Sequence, residues 1–298
     1  MSKRTLAIMA AIVASTIYGI NHSLAKGVMP TYVEPFGFIL LRVSGAAILF
    51  WIIGFWGPKE KIATSDWPRI IGCTILGMVI NMLMFFKGLS LTTPIHSSVI
   101  TTISPIFVLI LAAILIREKV TKLKVIGIIL GLTGAVALVV FGQNQTLNAP
   151  NIPLGNIFVI INAISYGLYL ILVKPLTSKY HPYTLMKWLF LFAVIINLPI
   201  TISEFVEISW TTLPTSVIWK ILFVIVGTTF LTYLCNIFAL KHLSASTLSA
   251  FIYLQPLIAI IYALATGADS LNMTKVLGAI LIFAGVFLVS KKPTTTRV

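Results

Sequence analysis

Acidic side chains are the scarcest chemistry in this sequence: seven Asp and Glu among 298 residues, against 21 Lys and Arg. All seven, Glu34, Glu60, Asp66, Glu118, Glu204, Glu207 and Asp269, fall between long apolar runs or at their ends. A carboxylate inside the bilayer is the usual proton carrier and cation counter-ion of a pump or exchanger. Its absence points away from cationic drugs and toward neutral, zwitterionic or anionic metabolites. Proton coupling, if any, would rest on His22 or His96. Cysteine is nearly as rare. Cys73 and Cys235 stand in separate predicted helices with no CxxC or metal-ligand spacing, so they read as small packing residues, and no metal or cofactor is expected. Polar surface is missing too: 9% of residues are charged and 58% hydrophobic, too little polarity to cover a soluble globule, and no polar segment exceeds a short loop. No P-loop, HExxH, GxSxG or paired carboxylates occur, which argues against an enzyme and against ATP-driven transport within this chain.

What is present is apolar and periodic. Mean hydropathy is +1.05, and spans can be drawn at residues 5–27, 36–56, 68–90, 94–116, 122–141, 153–174, 182–203, 215–240, 245–266 and 273–290, each long enough to cross a bilayer. The fold class expected is therefore all-α integral membrane with ten transmembrane helices. The first run follows Lys3 and Arg4 as a signal peptide would. Tyr18, Asn21 and His22 interrupt its core and no small-residue cleavage site follows, so it reads as a retained helix. With both termini in the cytoplasm, Lys59, Lys61, Arg69, Arg117, Lys119, Lys122, Lys124, Lys174, Lys179, Lys241, Lys291, Lys292 and Arg297 gather on one side with Lys3 and Arg4. The other side keeps mainly Lys26, Lys87, Lys220 and Lys275. The positive-inside rule selects that orientation, in a cell (inner) membrane. The net charge of +14 thus reports orientation and contact with anionic lipid, with no nucleic-acid partner expected.

The chain also repeats itself. Shifting Gly88–Ala137 by 151 positions lays Leu89 on Leu240, Ser98 on Ser249, Pro105 on Pro256, Lys124 on Lys275, Gly127 on Gly278 and Gly134 on Gly285. At an offset of 148, Tyr18, Gly19, Leu24 and Lys26 match Tyr166, Gly167, Leu172 and Lys174. Each unit holds five helices, and an odd number forces the second copy to enter the membrane upside down. Two inverted five-helix repeats, 1–142 and 153–290, are expected, joined by an uncharged Asn-rich loop at 142–153. Pro105 and Pro256 mark mid-membrane kinks in the fourth and ninth helices, candidate structural hinges. Polar residues gather near them: Thr101, Thr102 and Ser104 in one half, Tyr253 and Gln255 in the other. They can line a polar cavity or simply satisfy the carbonyls freed by each kink. Gly127, Gly131 and Gly134 share one helix face, as do Gly278 and Gly285, and read as peripheral scaffold or a dimer surface without substrate contact.

Polar side chains at membrane depth are the candidate substrate contacts. They are Tyr18, Asn21 and His22 on the first helix, Arg42 on the second, Asn81 on the third, Thr101 on the fourth, Asn162 and Tyr166 on the sixth, Thr229 and Tyr233 on the eighth, and Gln255 on the ninth. Each could instead serve as a helix-to-helix hydrogen bond. Arg42 could bind a carboxylate or phosphate bidentately, or snorkel outward as long side chains near helix ends do. Lys187 and the tryptophans near helix ends read as interface anchors.

Ten helices in two inverted halves, with Leu89, Ser98, Pro105, Arg117, Glu118 and Gly127 in one half and Ala239, Ser249, Pro256, Asp269 and Gly278 in the other, resemble the drug/metabolite transporter superfamily and its EamA-type members. Asp269 stands where that family usually carries glutamate. The resemblance implies a central cavity lined by helices one to four and six to nine, with five and ten outside, and alternating access. The function expected is a secondary transporter, an exporter of amino acids or similar small polar metabolites, acting as monomer or homodimer in a lipid bilayer. The alternatives are a passive channel or facilitator, or an exporter of drugs, sugars or cofactors.

Overall fold

The computed structural model of the protein describes residues 1–92, 94–141, 150–265 and 272–291, apart from the side chains at 22, 23, 26, 94, 95, 141 and 263. Ten helices long and apolar enough to cross a membrane are found among them. They are α1 (Lys3–Lys26), α2 (Pro35–Gly54), α3 (Thr64–Leu91), α4 (Pro94–Leu115), α5 (Lys122–Phe141), α6 (Ile152–Lys179), α7 (Pro182–Val206), α8 (Thr215–His242), α9 (245–265) and α10 (Met273–Ser290). Asp269, Lys292, Arg297 and residues 142–149 of the inter-repeat loop lie outside the described residues.

The expected spans hold, with two shifts in their ends. α6 continues through Pro175 to Lys179, where the sequence reading stopped it at 174. Proline removes one donor and need not end a helix whose last turn is otherwise anchored. Here Lys179 and Tyr180 both bond Asp66, the lysine at 3.0 and 3.1 Å and the tyrosine hydroxyl at 2.8 Å. α3 starts earlier than expected, because a 3-10 turn at Thr64–Asp66 leads into it and delivers that carboxylate.

Two helix pairs cross the whole bundle and fix its inverted architecture. α5 and α10 meet glycine to glycine: a Cβ at Gly127 would lie 2.6 Å from the Gly285 carbonyl, and one at Gly134 2.7 Å from the Gly278 carbonyl. Rising numbers on one helix meet falling numbers on the other, so the two run antiparallel. Of the two readings of the glycine stripes, scaffold or dimer surface, this corrects the second, since each stripe is covered by its counterpart in the same chain. Outside the seam, Ile126, Ile129, Leu277, Ile280, Phe283 and Phe287 are exposed, as a lipid-facing surface requires. α2 and α7 form the second pair, pinned at both ends by acids. Glu204 Oε2 accepts from the Phe36 and Gly37 amides at 2.6 and 3.1 Å, and Glu60 Oε2 accepts from the His181 amide at 2.8 Å. A carboxylate at a helix N-terminus satisfies orphan donors and faces the positive end of the helix dipole. Acids scarce enough to look incidental in the sequence are thus placed where they hold helices together.

Candidate functional site

Between the two pairs, α1, α3, α4, α6, α8 and α9, together with parts of α2 and α5, surround a cavity of about 570 Å³. α3 and α8 are irregular there. Ile75–Ile80 and Phe223–Leu231 are π-helical, the same stretch of the third helix in each repeat. A π segment widens the turn and leaves carbonyls that seek other donors, and such segments concentrate at functional sites. Ser165 Oγ of α6 donates to the Leu76 carbonyl at 2.7 Å, and Thr229 Oγ1 donates to the Val224 carbonyl at 2.8 Å. Sequence reasoning placed neither segment. The available signal was Gly77 and Gly227, mid-helix glycines at corresponding places in the two halves.

The kinks also differ from the expectation of mirror twins. α4 stays continuous through Pro105. α9 is broken into Ala245–Ala250, a 3-10 turn at Phe251–Tyr253, and Leu254–Ala265 before Pro256. α1 lies against this break: Ser15 Oγ donates to the Phe251 carbonyl at 3.0 Å, and a Cβ at Gly19 would sit 2.9 Å from the Gln255 carbonyl. Glycine is what lets the two backbones approach so closely. Pro256 lines the cavity and Pro105 does not.

Nine of the eleven predicted contacts line the cavity: Tyr18, Asn21, Arg42, Asn81, Thr101, Asn162, Tyr166, Tyr233 and Gln255. Thr229 is fully buried behind the wall, where its hydroxyl accepts from Arg42 Nε at 3.1 Å. The His22 side chain lies outside the described residues. His96, the other candidate proton group, is not among the lining residues. Tyr253 is turned away from the cavity into the notch at Gly131 of α5, its hydroxyl buried without a partner among the described residues. α5 supplies Leu138 and Val139 to the wall, and α7 supplies nothing among the described residues. Both facts correct the lining expected from the resemblance. α5 is close enough to contribute because its glycines bring it down onto α9 and α10.

The polar groups differ residue by residue in how far their hydrogen bonds are used within the protein. Thr101 and Thr102 bond back to the Ser97 and Val99 carbonyls of their own helix, at 2.8 and 2.6 Å, and Asn21 accepts from Thr228 at 2.9 Å. Asn81 and Asn162 form a reciprocal pair: each side-chain amide donates to the other's backbone carbonyl, at 3.3 and 2.7 Å. That arrangement fixes both rotamers and leaves both amide oxygens without a hydrogen bond among the described residues. Arg42 has not snorkelled. Its side chain is buried in the bundle, 7% exposed, with the guanidinium carbon 5.6 Å from the centre of the Phe86 ring.

The cavity is one-ended. Its lining runs past the end of α1 to Met29 and Pro30, to Ser90 in the last turn of α3, and to Pro35 and Ser97 at the starts of α2 and α4. Toward the end that carries the N-terminus the bundle is stitched shut. Arg117 adopts the left-handed region, φ 51°, a position that usually demands glycine, and the Glu118 amide bonds the Ala112 carbonyl at 3.0 Å. That turn directs Glu118 inward, where it pairs with Lys124 at 2.8 Å and accepts from Ser246 at the start of α9. Lys124 also donates to Ser244 at 3.2 Å. Burial raises the Glu118 pKa, but Lys124 and the two serines outweigh it and hold the carboxyl below its ordinary value. Beside this cluster Lys174 Nζ donates to the Leu240 and Leu243 carbonyls, the latter at 2.7 Å, tying α6 to the end of α8.

Comparison with known proteins agrees with this architecture. The family described as EamA-like transporter family matches the chain twice, over residues 5–140 and 153–291. An uncharacterized transporter of Archaeoglobus fulgidus is 28% identical over 263 residues, 88% of this chain and 90% of that one. The uncharacterized transporter YyaM of Bacillus subtilis is 25% identical over 83% of this chain and 81% of its own length. A WAT1-related protein of Arabidopsis thaliana is 22% identical over 91% and 79% respectively. A solved crystal structure shares the fold, with a TM-score of 0.77 at 16% identity over 96% of this chain and 97% of that one.

Proposed function

The chain belongs to the EamA-like transporter family, and from that premise we propose that it is a secondary transporter exporting small polar metabolites, amino acids among them, by alternating access. The observation that carries the reading is the one-ended cavity. Mid-membrane polar groups from both repeats share one chamber that reaches one end of the bundle, while Glu118, Lys124, Ser244, Ser246 and Lys174 close the other. A passive pore needs a path through both ends at once. A carrier needs one end closed at a time, and inverted repeats supply two mirror-related ways of doing it. On the positive-inside rule the stitched end is cytoplasmic, which puts both termini inside the cell and makes the described conformation outward-facing.

The test is reconstitution into liposomes loaded with a mixture of amino acids and related metabolites. Saturable efflux stimulated by solute on the opposite side is expected. Efflux proportional to the gradient without counterflow would replace the carrier by a channel.

A further inference from the structure

We infer that the cavity recognises the carboxylate of a small monocarboxylate through Arg42, and that Arg42 is the residue that sets specificity. Among the described residues lining the cavity, Arg42 alone is charged. Its Nε is engaged by Thr229, itself anchored to the Val224 carbonyl of the π segment, so the guanidinium is held from behind in one orientation. Its two terminal nitrogens have no hydrogen-bond partner among the described residues, and no described carboxylate stands within ion-pair distance. A cation at this depth without a counter-ion is costly. Water in the cavity can hydrate it, and an anion that displaces that water must supply the missing charge. The fork of a guanidinium matches the two oxygens of a carboxylate.

Phosphate would offer the same fork a second charge, and the site has no second charge to meet it. No second cation lines the cavity among the described residues, and the amide oxygens of Asn81 and Asn162, also on the lining, accept rather than donate. Those oxygens suit a donor such as an ammonium or hydroxyl at the other end of the ligand. Phe85, Phe86, Met82 and Ile260 give an apolar wall for the remainder. The class selected is a monocarboxylate carrying a hydrogen-bond donor, which a zwitterionic amino acid satisfies and a free amine or a phosphate monoester does not.

The inference rests on the transporter reading only in taking this cavity as the substrate site, and binding tests it without transport. The purified full-length protein in detergent would be melted in the presence of matched acids, primary amides and decarboxylated amines, from glycine-sized to tryptophan-sized, with simple hydroxy acids and inorganic phosphate alongside. At least one acid is expected to raise the melting temperature at a concentration about tenfold or more below its amide, the margin of a charge-assisted hydrogen bond. Arg42→Gln should erase the difference between acid and amide, and Arg42→Lys should keep part of it. If Arg42→Gln does not fold, the acid-to-amide comparison on the unaltered protein decides alone. Amides or amines binding as well as acids, phosphate binding more tightly than every carboxylate, or no acid shifting the melt would each overturn the assignment. Failure of counterflow with acids still binding would overturn the carrier reading instead.

Discussion

Ser98 and Ser249 occupy the same place in the two repeats and live in opposite surroundings. Ser98 lines the cavity, whereas Ser249 is fully buried, its hydroxyl donating to the Ser246 carbonyl at 3.1 Å. The same contrast separates the two ends of the molecule. At one, charged side chains from the α4–α5 turn and from α6 seize the end of α8 and the start of α9. At the other, no ion pair is found among the described residues: the Glu204 carboxylate of α7 holds the amides at the start of α2, and α3 meets the start of α6 through the Asn151 amide on the Leu91 carbonyl at 3.0 Å and Thr92 on Asn156 at 2.7 Å. Near-equivalent sequences therefore reach unlike environments, and the difference lies in which polar groups are engaged. The proposed alternating access requires such an asymmetry of any single conformation.

The contrast can be broken most severely at the element both ends share. Gly285→Leu would place a Cβ 2.5 Å from the Gly127 carbonyl and 2.6 Å from the Gly131 amide, backbone atoms that cannot step aside. The cost should exceed about 3 kcal/mol, the upper range for ordinary overpacking. Monodisperse protein should be largely lost on size exclusion. A variant that elutes and melts like the parent would mean that α5 and α10 are not paired through their glycines.

Glu118→Gln is a smaller change that should level the two ends. It removes the charge that Lys124 and Ser246 hold, leaving a mostly buried ammonium without its carboxylate, at a cost of about 1–3 kcal/mol. The melting temperature should fall. The pH dependence carries a definite sign: because the folded-state pKa of Glu118 is depressed, its contribution is present above the ordinary glutamate value, about 4.3, and is lost as pH falls through the folded value. The parent should therefore lose more stability than Glu118→Gln on acidification through that window. Equal losses would show that the pair contributes nothing to closing this end.

Much of this was legible in the sequence, because membrane folding leaves few options. Apolar length fixed the ten helices, and an odd number of helices per repeat forced the inversion that the Gly127–Gly285 and Gly134–Gly278 contacts display. The polar residues at membrane depth were also legible, since bilayer cost makes each of them conspicuous. What the sequence could not reveal is which way a given polar group turns. Tyr253 and Gln255 sit two residues apart beside one proline, yet a 3-10 turn sends the first into a glycine notch and the second into the cavity. Thr229 read as a ligand contact and stands behind the wall holding Arg42. The π segments went unread, marked only by Gly77 and Gly227, because a widened turn costs no apolar length and changes no periodicity over so short a run. The sequence placed the acids only in loops or at helix ends, and the fold is what brings Glu204 to α2, Glu60 to α7 and Glu118 to Lys124 and Ser246.

The central claim is that the two ends exchange roles, and accessibility at the repeat-related serines tests it most directly. With Cys73 and Cys235 replaced by alanine, Ser98→Cys and Ser249→Cys would each be exposed to a membrane-impermeant maleimide, applied separately to the two faces of sealed vesicles. Ser98→Cys should react at rest from the outer face alone. Ser249→Cys should be protected from both faces at rest and react from the cytoplasmic face once Glu118→Gln loosens the stitched end or substrate is cycling. Reaction of Ser249→Cys at rest from the face that labels Ser98→Cys, or no reaction under any of these conditions, would contradict alternating access in this protein.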